Sequence, residues 1–326
     1  MFRNIIWLVA IGIASLLLQS NVPIEGKKVK IYINQLVEHP ALDATTRGIV
    51  EGLTEAGYIK DHNLDLKIES AQGNVSLAGQ IANKFVSNEP DIVVGVGTVA
   101  AQSFVKYLRD SKAKLIFTTI TDPIGANLVS SLEHPGSNIS GVSNFVPLEP
   151  QIEMFKRVKP RIKKLGFLYN PGEMNSISLI EKLRKVCPKY GIELVVMPAS
   201  KSSEVAQSAI KLSSSVDAIF ISNDNTALSA LRVIVKAANA QKIPVFVSDT
   251  DIVVDGAIAA LGPNQYDIGR QTAAMIIRII KGENISEVAV DFPRKTELVL
   301  NAKVAEKLGI ILSAELISEA KLVITY

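Results

Sequence analysis

Four polar side chains in a row, Asn223-Asp224-Asn225-Thr226, follow the apolar run Ala218-Ile219-Phe220-Ile221. One helix cap needs fewer polar groups than that. A carboxylate among amides suits a ligand ammonium group, because ion-assisted hydrogen bonds are roughly twice as strong as neutral ones. Asp224 is therefore the expected anion for a cationic ligand group, with Asp249, after the next strand, in reserve. A second polar loop, Asn170-Pro-Gly-Glu-Met-Asn175-Ser176, also follows an apolar strand. Asn170, Asn175 and Ser176 are candidate ligand contacts, and Ser176 equally suits a cap for the helix behind it.

The first half of the chain carries a complementary feature. Gly95-Val-Gly97-Thr98-Val99-Ala100 fits a dinucleotide fingerprint, with Asp122 about 20 residues on. That fingerprint belongs on the first strand of a unit, and here it follows the third. A tight strand-to-helix turn explains it equally. A third reading gives the amides near Thr98 and Val99 a carboxylate to hold. Gln35 and His39, after the first strand, and Thr121, where Thr121-Asp122-Pro123 closes another, are candidate ligand contacts. Asp122 is either a cap for the stretch after it or a ligand contact. An amino-acid zwitterion would satisfy both halves, its carboxylate on first-half amides and its ammonium on Asp224.

The remaining chemistry is sparse. His39, His62 and His134 are far apart, so no metal site is expected. No Gly-x-Ser-x-Gly elbow and no Walker loop occurs, so neither an enzyme nor a cofactor is expected. The net charge of +3 comes without a long basic run, which argues against nucleic acid as a partner. The single cysteine, Cys187, excludes a disulfide framework. Two other readings stay open: a nucleotide-using enzyme on the Gly95–Gly97 loop, or a receptor for a sugar or nucleoside.

These candidates need strands to carry them. Strand and helix signals alternate from Val29 onward, which implies mostly parallel, doubly wound sheets. The expected fold is α/β, with two such lobes joined by a three-crossing hinge. Lobe 1 is expected at 29–143 with about 256–290, and lobe 2 at 147–250 with about 297–326. Ahead of them, Ile5 to Leu18 is free of charge and short for a membrane span. Residues 1–20 read as a secretory signal, cleaved on export or kept as an inner-membrane anchor.

On these residues the chain resembles the substrate-binding proteins of ABC transporters in the tryptophan/tyrosine-type group. The matching pieces are Gln35-Leu-Val-Glu-His-Pro-Ala-Leu-Asp43, Gly97-Thr-Val-Ala-Ala-Gln102, Thr121-Asp-Pro-Ile-Gly-Ala126, Tyr169-Asn-Pro-Gly-Glu-Met-Asn-Ser176, Asn223-Asp-Asn-Thr226 and Gly269-Arg-Gln271. The resemblance covers about Val29 to Leu308. It implies a type I periplasmic-binding fold and a non-catalytic, extracytoplasmic receptor. Such a receptor passes a small ligand, here an amino acid with aromatic ones favoured, to an ABC permease. The chain is expected to act as a monomer. An aromatic ligand wants aromatic walls, and Phe145, Tyr169 and Tyr266 are the candidates. The signal-end cysteine of lipid-anchored relatives is missing.

Overall fold

The computed structural model describes residues 28–325. The expected signal at residues 1–20 lies outside them.

The first sheet takes β1 (Val29–Gln35), β2 (Leu64–Ser70), β3 (Ile92–Val96), β4 (Lys114–Ile120) and β5 (Ile139–Ser143). Its order is β2-β1-β3-β4-β5, and every pair is parallel. All five residues of β3 are buried, as parallel strands covered on both faces require. Helices α1 (Pro40–Glu55), α2 (Val75–Val86) and α3 (Thr98–Leu108) supply the cover. Pro40 opens α1 where a missing N–H costs nothing, and its buried positions fall along one stripe.

The second lobe repeats the scheme. After α4 (Leu148–Val158) come β6 (Lys164–Tyr169), α5 (Met174–Val186), β7 (Glu193–Pro198), α6 (Ser202–Ser213) and β8 (Ala218–Ile221). Then α7 (Asn225–Ser229), α8 (Leu231–Ala240), β9 (Val245–Val247) and β10 (Ala259–Gly262) follow. The chain continues through α9 (Gln265–Ile280), β11 (Glu297–Asn301), α10 (Ala302–Leu308), α11 (Ala314–Glu319) and β12 (Leu322–Ile324). The second sheet runs β12-β11-β10-β9-β8-β6-β7, with only β10 and β11 antiparallel.

The chain passes between the lobes three times, at 144–147, 263–264 and 292–296. One boundary differs from the expectation. The segment from about 256 is not the return to lobe 1, because β10 pairs with β9 and β11 inside the second sheet. The return comes after Gly262, and α9 then packs on α1 and β4 of lobe 1. The continuous apolar run Ala257-Ile-Ala-Ala-Leu261 marks a strand but not the sheet that takes it. Ala230 separates α7 from α8.

Strand order reverses between β1 and β3 in one sheet and between β6 and β8 in the other. Ligands in open α/β sheets bind at such points, beyond the strands' carboxyl ends. The loops at both points are those singled out above.

The packing of α9 on α1 is unusually close. A Cβ on Gly269 would stand 2.1 Å from the Thr45 carbonyl oxygen, and one on Gly48 2.3 Å from that of Tyr266. Gly269→Ala is therefore expected to destabilise the fold by about 1–3 kcal/mol, as overpacking does. A urea melt with an unshifted midpoint would contradict this packing.

Candidate functional site

Two spaces lie between the lobes. The outer one is a cavity of about 670 Å³. Leu36, Val37, Asn74, Val75 and Val99 line it from lobe 1, and Asn170, Glu173, Ser202, Asn225 and Thr226 from lobe 2. The inner one is a void of about 10 Å³, close to the room one water needs. His39, Leu42, Thr119, Asn144, Asn223, Asn225, Asp249 and Gln265 surround it. Asn225 belongs to both walls. Gly97 lies beside one residue of each wall. A Cβ there would lie 3.4 Å from Leu36 Cβ, on the outer wall, and 3.8 Å from Leu42 Cδ1, on the inner.

Helix α3 starts after Gly97. His39, Asn74 and Asp224 each cap a helix with a side-chain acceptor, but Gly97 offers none. The first amides of α3, at Thr98 and Val99, are thus left without a side-chain cap at the edge of the cleft. The φ of Gly97 is +92°, a conformation that favours glycine. Gly95 serves packing, since a Cβ there would come within 2.4 Å of Ala101 Cα. These two positions account for the fingerprint-like glycines without a dinucleotide.

The expected anion, Asp224, is placed differently. It is 0% exposed and lines neither space. Its Oδ1 accepts from the Ala227 amide at 2.8 Å, and its Oδ2 from the Asn170 amide and Ser176 Oγ at 2.6 Å each. Asp224 therefore braces two loops of lobe 2 from behind the wall. Burial, and then the neighbouring Glu173 carboxylate, push its pKa up against those three hydrogen bonds.

Glu173, which the sequence reading passed over, stands on the wall instead. Its Oε1 accepts from Thr226 N and Oγ1, at 3.0 and 2.9 Å. Its Oε2 accepts from Asn225 N and Nδ2 and from Asn175 Nδ2, at 3.0, 2.7 and 3.1 Å. Five donors fill the roughly four lone-pair sites of a carboxylate. Nothing local in Asn170–Ser176 reveals that this loop folds onto the start of α7, more than 50 residues away.

Asp249 is the opposite case. It is 2% exposed and receives one hydrogen bond among the described residues, from Gln265 Nε2 at 2.5 Å. Burial raises its pKa to about 7, against the hydrogen bond from Gln265 and with help from Asp251. Among the described residues, no lysine or arginine nitrogen lies within 4.0 Å of Glu173, Asp224 or Asp249. Gln265, Asn144 and Thr119 complete this wall and escaped the sequence reading, beside Asn223 of the polar run singled out there. Thr119 and Asn223 hold φ values of +57° and +45°, uncommon for non-glycine residues and frequent at working sites.

The other candidates hold the walls together. Gln35 donates to Val37 O and Asp43 Oδ1 and accepts from Thr46 Oγ1, which fixes the loop after β1. His39 crosses the cleft. The Leu42 amide donates to its Nδ1 at 3.5 Å, so Nε2 carries the proton toward Asn225 Oδ1 at 3.3 Å. Burial lowers the His39 pKa, in keeping with this neutral tautomer. Thr121 Oγ1 accepts from Asn223 Nδ2 at 3.0 Å, again between lobes. Asp122 reaches Ser178 and Lys182 of α5 rather than either space. Asn170 Nδ2 donates to Thr226 Oγ1 at 2.9 Å. Of the three aromatic candidates none lines the cavity. Phe145 and Tyr169 pack against the second-lobe core, and the Tyr266 hydroxyl donates to Glu51. The apolar wall is aliphatic: Leu36, Val37, Val75 and Val99.

A family model described as ABC transporter substrate binding protein matches residues 30–324. The chain is 34% identical over 278 residues to the tyrosine-binding protein of Clostridioides difficile (strain R20291), covering 85% of this chain and 80% of that one. It is similar to the ABC domain in complex with L-Trp from Streptococcus pneumonia, with a TM-score of 0.87 and 34% identity over 91% of this chain and 100% of that one. Against the ligand-free, open structure of a substrate-binding protein with adhesive properties from Clostridium difficile, the TM-score is 0.69 and the identity 32%, over the same shares. At nearly equal identity and coverage, the chain scores higher against the L-Trp complex than against the ligand-free, open structure.

Asp224→Ala is expected to lower stability by about 2–4 kcal/mol, because it strips a helix cap and leaves buried donors unpaired. A thermal melt unchanged by this substitution would contradict the bracing role.

Proposed function

The chain belongs to the ABC transporter substrate-binding protein family, and on that premise we propose that it binds an aromatic amino acid between its lobes. Family members bind and deliver rather than catalyse, and they pair with a membrane permease. Export of this chain to the periplasm, with its leader cleaved or kept as an anchor, belongs to the same proposal. Among the described residues, no helix is long and apolar enough to cross a membrane.

One observation carries the ligand class. Asp249 is a buried carboxylate with a single hydrogen bond and no cation near it among the described residues, on a wall shared by both lobes. Burying such a charge unpaired is costly, and an ammonium group removes the cost. Glu173 has its lone pairs filled and Asp224 is sealed away, so Asp249 takes the ammonium. The ligand carboxylate then meets the uncapped amides of Thr98 and Val99, where a helix N-terminus favours negative charge. The side chain extends into the outer cavity, against Leu36, Val37, Val75 and Val99. An aromatic side chain buries roughly 150–250 Å² and fits a space of this size. The relatives named for tyrosine and solved with L-Trp support this choice.

Calorimetry with L-tyrosine and L-tryptophan tests the reading. The wild type is expected to bind at least one of them. Asp249→Asn keeps the acceptor for Gln265 but removes the charge, and is expected to weaken binding about 100-fold. Unchanged affinity in Asp249→Asn would overturn the ammonium role. Failure of all twenty amino acids to raise the wild-type melting temperature would overturn the ligand class.

A further inference from the structure

One set of contacts joins the lobes away from both spaces. Asp122 follows β4 in lobe 1, and Ser178 and Lys182 stand one turn apart on α5 in lobe 2. Asp122 Oδ2 accepts from Ser178 Oγ at 2.6 Å and from Lys182 Nζ at 3.1 Å. Lys182 Nζ also donates to Ser178 Oγ at 2.8 Å and lies 5.7 Å from the centre of the Phe145 ring, in the first crossing. Asp122 Oδ1 accepts from the Gly125 amide at 2.9 Å, so its own turn aims the carboxylate. None of Asp122, Ser178 and Lys182 lines the outer cavity or the inner void.

We propose that Asp122, Ser178 and Lys182 form a latch that sets ligand affinity by holding the lobes closed, without touching the ligand. The proposal rests on the reading of the cleft as the ligand site. Separating the lobes breaks all the bonds between Asp122 and α5, so they favour the closed arrangement alone. A ligand that needs both walls binds in proportion to the closed fraction, and the latch raises that fraction. The latch is also weak enough to release. The side chains of Lys182 and Asp122 are 38% and 27% exposed, and pairs so wetted contribute little each. Burial works against the Asp122 charge, but Ser178, the Gly125 amide and Lys182 outweigh it and hold its carboxyl below the ordinary range. The crossings His39 to Asn225, Asn223 to Thr121 and Gln265 to Asp249 involve residues of the ligand spaces. Affinity can therefore be tuned at the latch while the ligand contacts stay as they are.

The test combines calorimetry and small-angle scattering on Lys182→Met, Asp122→Asn and Lys182→Arg. Asp122→Asn keeps an acceptor for Gly125, so the turn survives. Lys182→Met and Asp122→Asn are expected to bind L-tyrosine or L-tryptophan about fivefold more weakly, through faster release. Their ligand-free radius of gyration is expected to exceed that of the wild type. Lys182→Arg, which keeps the charge, is expected to stay near the wild type in both measurements. Unchanged affinity together with an unchanged radius overturns the latch. If the wild type binds neither amino acid, the ligand reading fails on its own, and the ligand-free radius alone decides the latch.

Discussion

A carboxylate taken out of water needs donors or a cation, and the cleft wall of lobe 2 buries three carboxylates with no lysine or arginine nitrogen within 4.0 Å among the described residues. Much of the wall's architecture follows from how each is satisfied. Glu173 draws five donors from Asn175, Asn225 and Thr226, and in doing so ties the loop after β6 to the start of α7. Asp224 draws three and ties the same loops from behind. Asp249 has one, from Gln265 of α9. Two carboxylates thus build the wall, and the third is left facing the space between the lobes.

The parallel sheets make this arrangement possible. Each strand delivers its loop to the same edge, so residues distant in sequence converge there. The second crossing lies directly between β10 and α9, which places Gln265 at the seam. Asp251 reinforces that seam by accepting from the Gln265 amide at 2.6 Å and Asn264 Nδ2 at 2.9 Å. Ala41 of α1 packs into a core cluster of lobe 2, so the lobes meet through apolar as well as polar contacts. Closure here is an interface of the fold's own residues, and a ligand adds to it.

Much of this was legible in the sequence. The βα alternation revealed the two lobes, and the polar loops after apolar strands revealed the edges that carry the cleft. Which carboxylate faces the ligand space was not legible. Asp224 looked exposed to a ligand because it sits among amides, yet its own helix cap takes one oxygen and the loop after β6 takes the other. Glu173 depends on a contact across 52 positions, which no local pattern shows. The sheet that takes β10 was misread for a related reason: an apolar run reports that a strand is buried, not which strands flank it. The expected aromatic walls failed because Phe145, Tyr169 and Tyr266 find partners elsewhere in the fold.

The central claim is that Asp249 receives a ligand ammonium, and proton release on binding tests it most directly. Burial raises the Asp249 pKa to about 7. At about pH 6 that carboxyl is mostly protonated, and a neighbouring ammonium lowers its pKa, so binding expels the proton. Calorimetry in buffers of different ionisation enthalpy should then show about one proton released per amino acid at pH 6, fading toward pH 8. The release should vanish in Asp249→Asn wherever binding persists. Wild-type binding at pH 6 without proton release, or the same release from the Asp249→Asn protein, would contradict the account.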